Sequence, residues 1–258
     1  MRRATTPLLV VAFALVVGFL VVPLVAVFIA AGPGALVDAL GRDVVRDAFL
    51  VSIKTNAIAQ CIVLLIGTPA AYLIARGVPF RRLVVGLIEL PLVLPPLVAG
   101  VGLLSTFGRA GILGDAVEFL GVRIALTQVA VVLAIIFVSS PFYVRWAINA
   151  FEGVDKNVVD AARTLGATPA RVFRTVVFPL AAPGLVAGAT LAAARGLGEF
   201  GATLVFAGSL QGSTQTLPLA IYSEYDTNPS TALAIGCVLI VVSAIILIGS
   251  KLGPRWRP

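Results

Sequence analysis

Residues 8–31 read LLVVAFALVVGFLVVPLVAVFIAA and contain no charged side chain. As an α-helix this run would be about 36 Å long, because each helical residue rises about 1.5 Å. The hydrocarbon core of a bilayer is about 30 Å thick. The apolar part of a secretory signal is shorter, roughly 7–15 residues. We therefore interpret 8–31 as a first membrane-spanning helix.

Five further segments have the same apolar character, and they extend this interpretation to the whole chain. They are residues 52–75, 83–107, 124–148, 175–206 and 231–250. Of the 258 residues, 59% are hydrophobic and 12% are charged, whereas about 25% of the residues in a soluble domain are charged. The sequence predicts an all-α, multi-pass protein of the cell membrane, with six transmembrane helices in a single domain over 1–258.

The positive charges fall mainly between the spans and predict the topology. Six spans place thirteen on one side: Arg2, Arg3, Arg76, Arg81, Arg82, Arg145, Lys156, Arg163, Arg171, Arg174, Lys251, Arg255 and Arg257. The opposite side receives Arg42, Arg46, Lys54, Arg109 and Arg123, and Arg195 stays within a span. Because cytoplasmic loops carry the excess of Lys and Arg, both termini are predicted to be cytoplasmic. This distribution assigns the net charge of +7 to topology, so nucleic acid is not an expected partner.

Several function classes lack their residues. The chain has no His, and Cys61 and Cys237 lie separately in apolar runs, as ordinary buried thiols do. We predict no metal site, no cofactor and no catalytic residue, which disfavours an intramembrane enzyme. Residues 208–212 run from glycine to glycine, but no lysine follows, so the phosphate-binding loop of an ATPase is absent.

The loop at 149–174, on the predicted cytoplasmic side, has strong helix signals. Asp155 is suited to cap a short helix that runs through Leu165, and Gly166 is suited to end it. Thr168 and Pro169 then begin a second helix. Val158, Ala161, Ala162 and Leu165 share one apolar face of the first helix. Either the ends of the protein's own helices or a partner protein must cover that face.

The same loop carries a motif. Asp160-Ala161-Ala162, Gly166 three residues later, and Val176-x-Phe178-Pro179 after nine more resemble the EAA loop of ATP-binding-cassette (ABC) importer membrane subunits. Aspartate, valine and phenylalanine stand where that pattern has glutamate, isoleucine and leucine. The resemblance implies a type I importer permease fold and a loop that docks on a dimer of ATPase subunits. The docking residues it implies are Asp160, Ala161, Ala162, Leu165, Gly166 and Pro179.

Two spans contain unusual residues. The third carries Glu89 and the prolines 91, 95 and 96, so we expect it to be kinked or broken. In the fifth, Arg195 and Glu199 are four residues apart and are predicted to pair on the pore side. The pair is either purely structural or takes part in gating or anion passage. The candidate pore or gate residues are Arg195, Gly198, Glu199, Phe200, Gly201 and Thr203. Gly196, Gly198 and Gly201 are consistent with close packing or a hinge.

Residues 198–203, Gly-Glu-Phe-Gly-Ala-Thr, and 214–222, Thr-Gln-Thr-Leu-Pro-Leu-Ala-Ile-Tyr, resemble the molybdate and tungstate branch of these permeases. Residues 90–96 and 107–114 add to the resemblance, while the sulfate branch tends to have Gly-Glu-Tyr-Gly-Ser at 198–202. The resemblance implies a homodimer that receives an oxyanion from an external binding protein. A sulfate or thiosulfate permease is one alternative.

The outer segment 208–225 allows two interpretations. It is rich in Ser, Thr and Gln, and it is either a docking or vestibule surface, or a solvated loop with a short interfacial helix. A second alternative function is an ion-driven secondary transporter. That class needs carboxylates or His within the membrane, for which Glu89 and Glu199 are the candidates.

Overall fold

The computed structural model describes residues 2–119, 121 and 123–252, and the regular structure in these ranges is entirely helical. The helices are α1 (Arg2–Ala31), α2 (Pro33–Leu40), α3 (Asp43–Ala75), α4 (Arg81–Val93), α5 (Pro96–Phe107), α6 (Gly114–Phe119), α7 (Gln128–Glu152), α8 (Lys156–Thr164), α9 (Pro169–Val172), α10 (Phe178–Leu197), α11 (Gly201–Ala207), α12 (Leu217–Tyr225) and α13 (Pro229–Leu252). A π-helical turn, Phe173–Val177, joins α9 to α10. Arg255 and Arg257, which the topology assignment used, lie outside the described residues. The all-α prediction is confirmed.

Five stretches of helix are long and apolar enough to span a membrane: Leu9–Ala31, Asp43–Ala75, Gln128–Glu152, Pro169–Leu197 and Pro229–Gly249. The predicted third span consists of two helices, α4 and α5, and the direction of the chain bends by 112° between them. The break lies at Leu94 and Pro95, both in extended conformation, because a proline restricts the residue before it to such conformations. The expected kink or break is therefore confirmed, and the number of spans is six when the bent pair is counted as one.

The second span begins at Asp43, nine residues before its predicted start. Its first turns carry charged residues, so the pattern of apolar runs does not assign them to the span. One of these charges has a partner, since Asp47 accepts a hydrogen bond from Gln211 at 3.3 Å. Farther along, inside the predicted span, Lys54 donates a hydrogen bond to Gln128 at 2.9 Å.

The core lies where α3, α7 and α10 pack together. Small residues allow the approach: a Cβ on Gly67 would lie 2.9 Å from Tyr143 Cδ1, and one on Gly188 would lie 2.7 Å from Trp146 Cβ. Such contacts are the usual means of helix association in membranes. The first helix differs, because the described side chains of α1 from residue 9 to residue 30 are exposed or half-buried. It lies at the edge of the fold, against α13.

The predicted fifth span, 175–206, is not one continuous helix. Helix α10 ends at Leu197 and α11 begins at Gly201, so residues 198–200 form a break. The physical reason is local: the Glu199 carboxylate accepts a hydrogen bond from the backbone N–H of Ala202 at 2.8 Å. This bond satisfies an N–H in the first turn of α11, which an uninterrupted helix would have satisfied with its own backbone.

Candidate functional site

The break in the fifth span holds the predicted ion pair. Arg195 lies in the last turn of α10, and its Nη2 is 2.9 Å from Glu199 Oε2. The pairing is confirmed, but the assumption that both residues belong to one helix is wrong. Gly198 ends α10 with φ −86° and ψ 11°, so Glu199 lies beyond the helix.

The two charges complement the ends of two helices. The carboxyl end of a helix carries a partial negative charge and the amino end a partial positive charge. Arg195 lies at the carboxyl end of α10, and Glu199 caps the start of α11. The side chain of Glu199 is 1% exposed and that of Arg195 is 29% exposed. The pair therefore holds the break together and presents its cation, not its anion, to open space.

The two broken spans meet at their breaks. A Cβ on Gly201 would lie 2.8 Å from Pro96 Cβ, and one on Gly100 would lie 2.9 Å from Ala202 Cα. The short helices α5 and α11 therefore pack with almost no space between their backbones. We call residues 94–95 and 198–200 together the junction. Interrupted helices that meet within a membrane are typical of sites that bind transported ions.

A polar network beside the junction was missed in the sequence. Asn56 and Gln60 of α3 are buried or half-buried, and their side-chain amides contact the last turns of α10. Gln60 Nε2 also lies 3.3 Å from Ser139 Oγ of α7. The signal was available, because two amide side chains four residues apart in an apolar span lie on one helix face.

The remaining candidate pore residues lie around the same break. Thr203 is fully buried in α11, and its hydroxyl has no hydrogen-bond partner within the described part of the chain. The ring of Phe200 packs against Tyr222 of α12, with centroids 5.3 Å apart. Gly198 is exposed. The structure thus brings the six candidates of 195–203 together at the junction.

The outer segment that follows is only partly solvated. A short helix is present at Leu217–Tyr225, as one of the two interpretations expected. Thr214, Gln215 and Thr216 are buried, however, and Leu217 donates its backbone N–H to Ser52 Oγ at 2.8 Å. The middle of this segment is therefore packed into the membrane domain, and its exposed parts are residues 210–212 and the end of α12, with Tyr222 62% exposed.

The loop at 149–174, predicted to be cytoplasmic, follows its sequence signals closely. Asp155 caps α8 by accepting a hydrogen bond from Asn157 N at 2.8 Å. Gly166 follows with φ +82°, the left-handed conformation that ends a helix. Thr168 then caps α9 by accepting a hydrogen bond from the backbone N–H of Arg171. From α9 the chain continues through the π-helical turn into α10, so α8 connects to the junction through one nearly continuous helix.

The apolar face of α8 is divided between two environments. Val159 and Ala162 pack against the protein's own core, which includes Phe151 and Val172. Leu165 is 87% exposed and Val158 is 45% exposed. The protein's own core therefore partly covers this face at Ala162, which is half-buried, and leaves Val158 and Leu165 open.

The other predicted docking residues are placed as follows. Ala161 is exposed, Pro179 is half-buried at the start of α10, and Asp160 forms an ion pair with Arg163 at 3.0 Å on the exposed side. In the described residues no three His, Cys, Asp or Glu side chains are placed to hold a metal ion. Cys61 is exposed and Cys237 is buried, and both are free thiols.

Residues 63–253 match the family described as "binding-protein-dependent transport system inner membrane component". The chain belongs to this family. The matched residues include the core of α7, the EAA loop and the junction residues 94–95 and 198–200. The chain is thus a multi-pass membrane component of a transport system.

Curated relatives agree with this assignment. The molybdenum transport system permease protein ModB of Mycobacterium tuberculosis is 48% identical over 209 residues, which cover 79% of this chain and 78% of the relative. ModB of Escherichia coli K12 is 40% identical over 203 residues, which cover 78% of this chain and 89% of that relative. The probable permease protein NifC of Clostridium pasteurianum is 31% identical, over 99% of this chain and 90% of its own length.

Solved structures show the same fold at low identity. The bacterial alginate ABC transporter, in complex with its pentasaccharide-bound periplasmic protein, has a chain that aligns with a TM-score of 0.75 and 12% identity. The alignment covers 98% of this chain and 93% of that one. The inward-facing MetNI methionine ABC transporter aligns with a TM-score of 0.63 and 22% identity, over 79% and 91% of the two chains. The predicted importer permease fold is confirmed.

Proposed function

We propose that this chain is the permease subunit of an ABC importer for molybdate or tungstate, and that two copies form the translocation pathway. The main support for the proposal is that the chain is 48% identical to a molybdenum permease over 79% of its length. The junction supports it, because a tetrahedral oxyanion needs cationic or N–H donors, and Arg195 presents a partly exposed guanidinium within the membrane.

In this proposal the exposed face of α8 docks on an ATPase subunit. Leu165 and Val158 supply apolar area, and Asp160 and Gly166 complete the docking surface with Ala161 and Pro179. Closure of the ATPase dimer draws the two copies of α8 together. Because α9, the π-helical turn and α10 follow one another without a loop, the movement reaches the junction along one nearly continuous helix.

An external binding protein delivers the anion at the opposite side. The exposed surface there includes α12, where Tyr222 packs on Phe200 beside the junction. Docking at α12 would therefore act directly on the gate residues 198–203. The anion then passes Arg195, and the inward opening follows nucleotide hydrolysis in the partner.

Ion-driven transport is less consistent with the contacts. Both carboxylates that such a mechanism would use already have arginine partners: Glu89 pairs with Arg145, and Glu199 pairs with Arg195. Each carboxylate is therefore already occupied by a cation of the protein itself and is not free to hold a transported ion.

The test is uptake of labelled molybdate into vesicles that contain this chain, its ATPase and its binding protein. We expect uptake to require both ATP and the binding protein, and to be suppressed by tungstate but not by sulfate. Suppression by sulfate would assign the chain to the sulfate branch. Uptake driven by an ion gradient without ATP would refute the proposal.

A further inference from the structure

Two amide side chains, Asn56 and Gln60, hold the last turns of α10 from the neighbouring helix α3. Gln60 Nε2 lies near three acceptors: Asn56 Oδ1 at 3.2 Å, Ser139 Oγ at 3.3 Å and the Ala192 carbonyl at 3.4 Å. Asn56 Nδ2 donates to the Ala193 carbonyl at 3.1 Å. The contacts join α3, α7 and α10 at one level of the membrane.

These contacts act on the turn that carries Arg195. Its neighbour Gly196 lets α3 approach, since a Cβ there would lie 2.5 Å from Asn56 Oδ1. Ala192 and Ala193 are one turn or less before Arg195, and α10 ends at Leu197. The amides therefore hold the rotation and the height of the helical turn from which the guanidinium extends.

Gln60 destabilises the fold at one of its atoms, which favours a positional role for this residue. Gln60 Oε1 is buried and has no hydrogen-bond partner in the described part of the chain. A buried polar atom without a partner destabilises the fold. An apolar side chain of similar size would avoid that penalty but would lose the donors that hold α10.

We propose that Asn56 and Gln60 are positioning residues for Arg195, and that they determine how efficiently the pathway accepts an oxyanion. The inference rests on the proposed function, because Arg195 must meet the anion for its position to matter. The relevant quantity is the number of anions imported per ATP hydrolysed. A loss of fold alone would reduce both rates together and leave that ratio unchanged.

The experiment measures molybdate uptake and ATP hydrolysis in the same vesicles, for the assembled importer with Gln60→Met or Asn56→Ala. We expect the ratio to fall about fivefold in each, the size expected from losing one or two interhelical hydrogen bonds within a membrane. In an Arg195→Lys background, Gln60→Met should cause no further fall. The matched control is Thr68→Val, which removes a hydrogen bond at 2.5 Å between Thr68 of α3 and Tyr143 of α7. This bond does not involve α10, so its loss should leave the ratio unchanged.

An unchanged ratio in both variants, or an equal fall in Thr68→Val, would overturn the positional role. So would failure of both variants to assemble, because the amides would then be needed for the fold itself. Absence of ATP-dependent molybdate uptake by the unaltered chain would instead refute the proposed function. The two failures are therefore distinguishable.

Discussion

Leu165→Asp should disconnect the ATPase from transport while leaving the permease folded. The Leu165 side chain is 87% exposed in the isolated chain, so its replacement removes almost no contact within the fold. Surface substitutions of this kind usually change the free energy of unfolding by no more than about 0.5 kcal/mol. Membrane insertion and thermal stability should be those of the unaltered chain.

The effect on docking should be much larger. Burying a leucine side chain contributes about 1.5–3 kcal/mol, and nearly all of the Leu165 surface is available for burial against a partner. A loss of about 2 kcal/mol weakens association about 30-fold. An aspartate forced into an apolar groove adds a further penalty because its charge loses water.

The assay compares ATPase binding to vesicles, and stimulation of ATP hydrolysis by the loaded binding protein, with and without the substitution. The matched control is Ile112→Asp, since Ile112 is also 87% exposed but lies in the loop at the opposite side. We expect the control to bind the ATPase normally. Normal ATPase binding and coupling in Leu165→Asp would refute the docking assignment.

Three other substitutions test the junction and the loop. Gly201→Ala should destabilise the solubilised protein by about 1–3 kcal/mol and so lower its thermal midpoint, because the new Cβ would lie 2.8 Å from the Cβ of Pro96. The control Gly18→Ala, whose Cβ would have nothing within 4 Å, should leave the midpoint unchanged. Equal losses in the two variants would contradict the packing account. Glu199→Gln should destabilise the protein by up to about 3 kcal/mol in the same thermal assay, because Arg195 loses its partner. Adding Arg195→Gln should restore part of the lost stability, and a further loss of stability in the double variant would argue against the pair. Asp155→Ala should destabilise helix α8 by about 1 kcal/mol, because its N-terminal cap is lost. ATPase binding should weaken severalfold while the thermal midpoint stays unchanged, and a lower midpoint would show that the cap supports more than α8.

Much of the fold was predictable because its signals are local or additive. Apolar runs identify the spans without knowledge of their neighbours, and Asp155, Gly166 and Thr168 determine the loop helices through bonds to adjacent residues. The start of α3 at Asp43 was not predictable in this way. The first turns carry charged residues, and one of them, Asp47, is bonded to Gln211, which is distant in the sequence.

The details of the site depend on tertiary contacts and were predicted less well. Pairing of Arg195 with Glu199 follows from their spacing, but the break between them depends on the bond from Ala202 N to the carboxylate. The orientation of α8 likewise depends on which side meets the core. The core covers Val159 and not Val158, although the two are neighbours in the sequence and point only about 100° apart on the helix.

The ion pair of Arg195 and Glu199 bears on how the protein responds to voltage. Moving one elementary charge through 100 mV involves about 2.3 kcal/mol of electrical work. Arg195 with Glu199 is neutral as a unit, so displacement of this pair contributes almost no gating charge. A divalent oxyanion entering a cell with a negative interior would then carry nearly all of the electrical work, about 4.6 kcal/mol per 100 mV. In the absence of cargo, opening and closing of the pathway should be indifferent to the membrane potential.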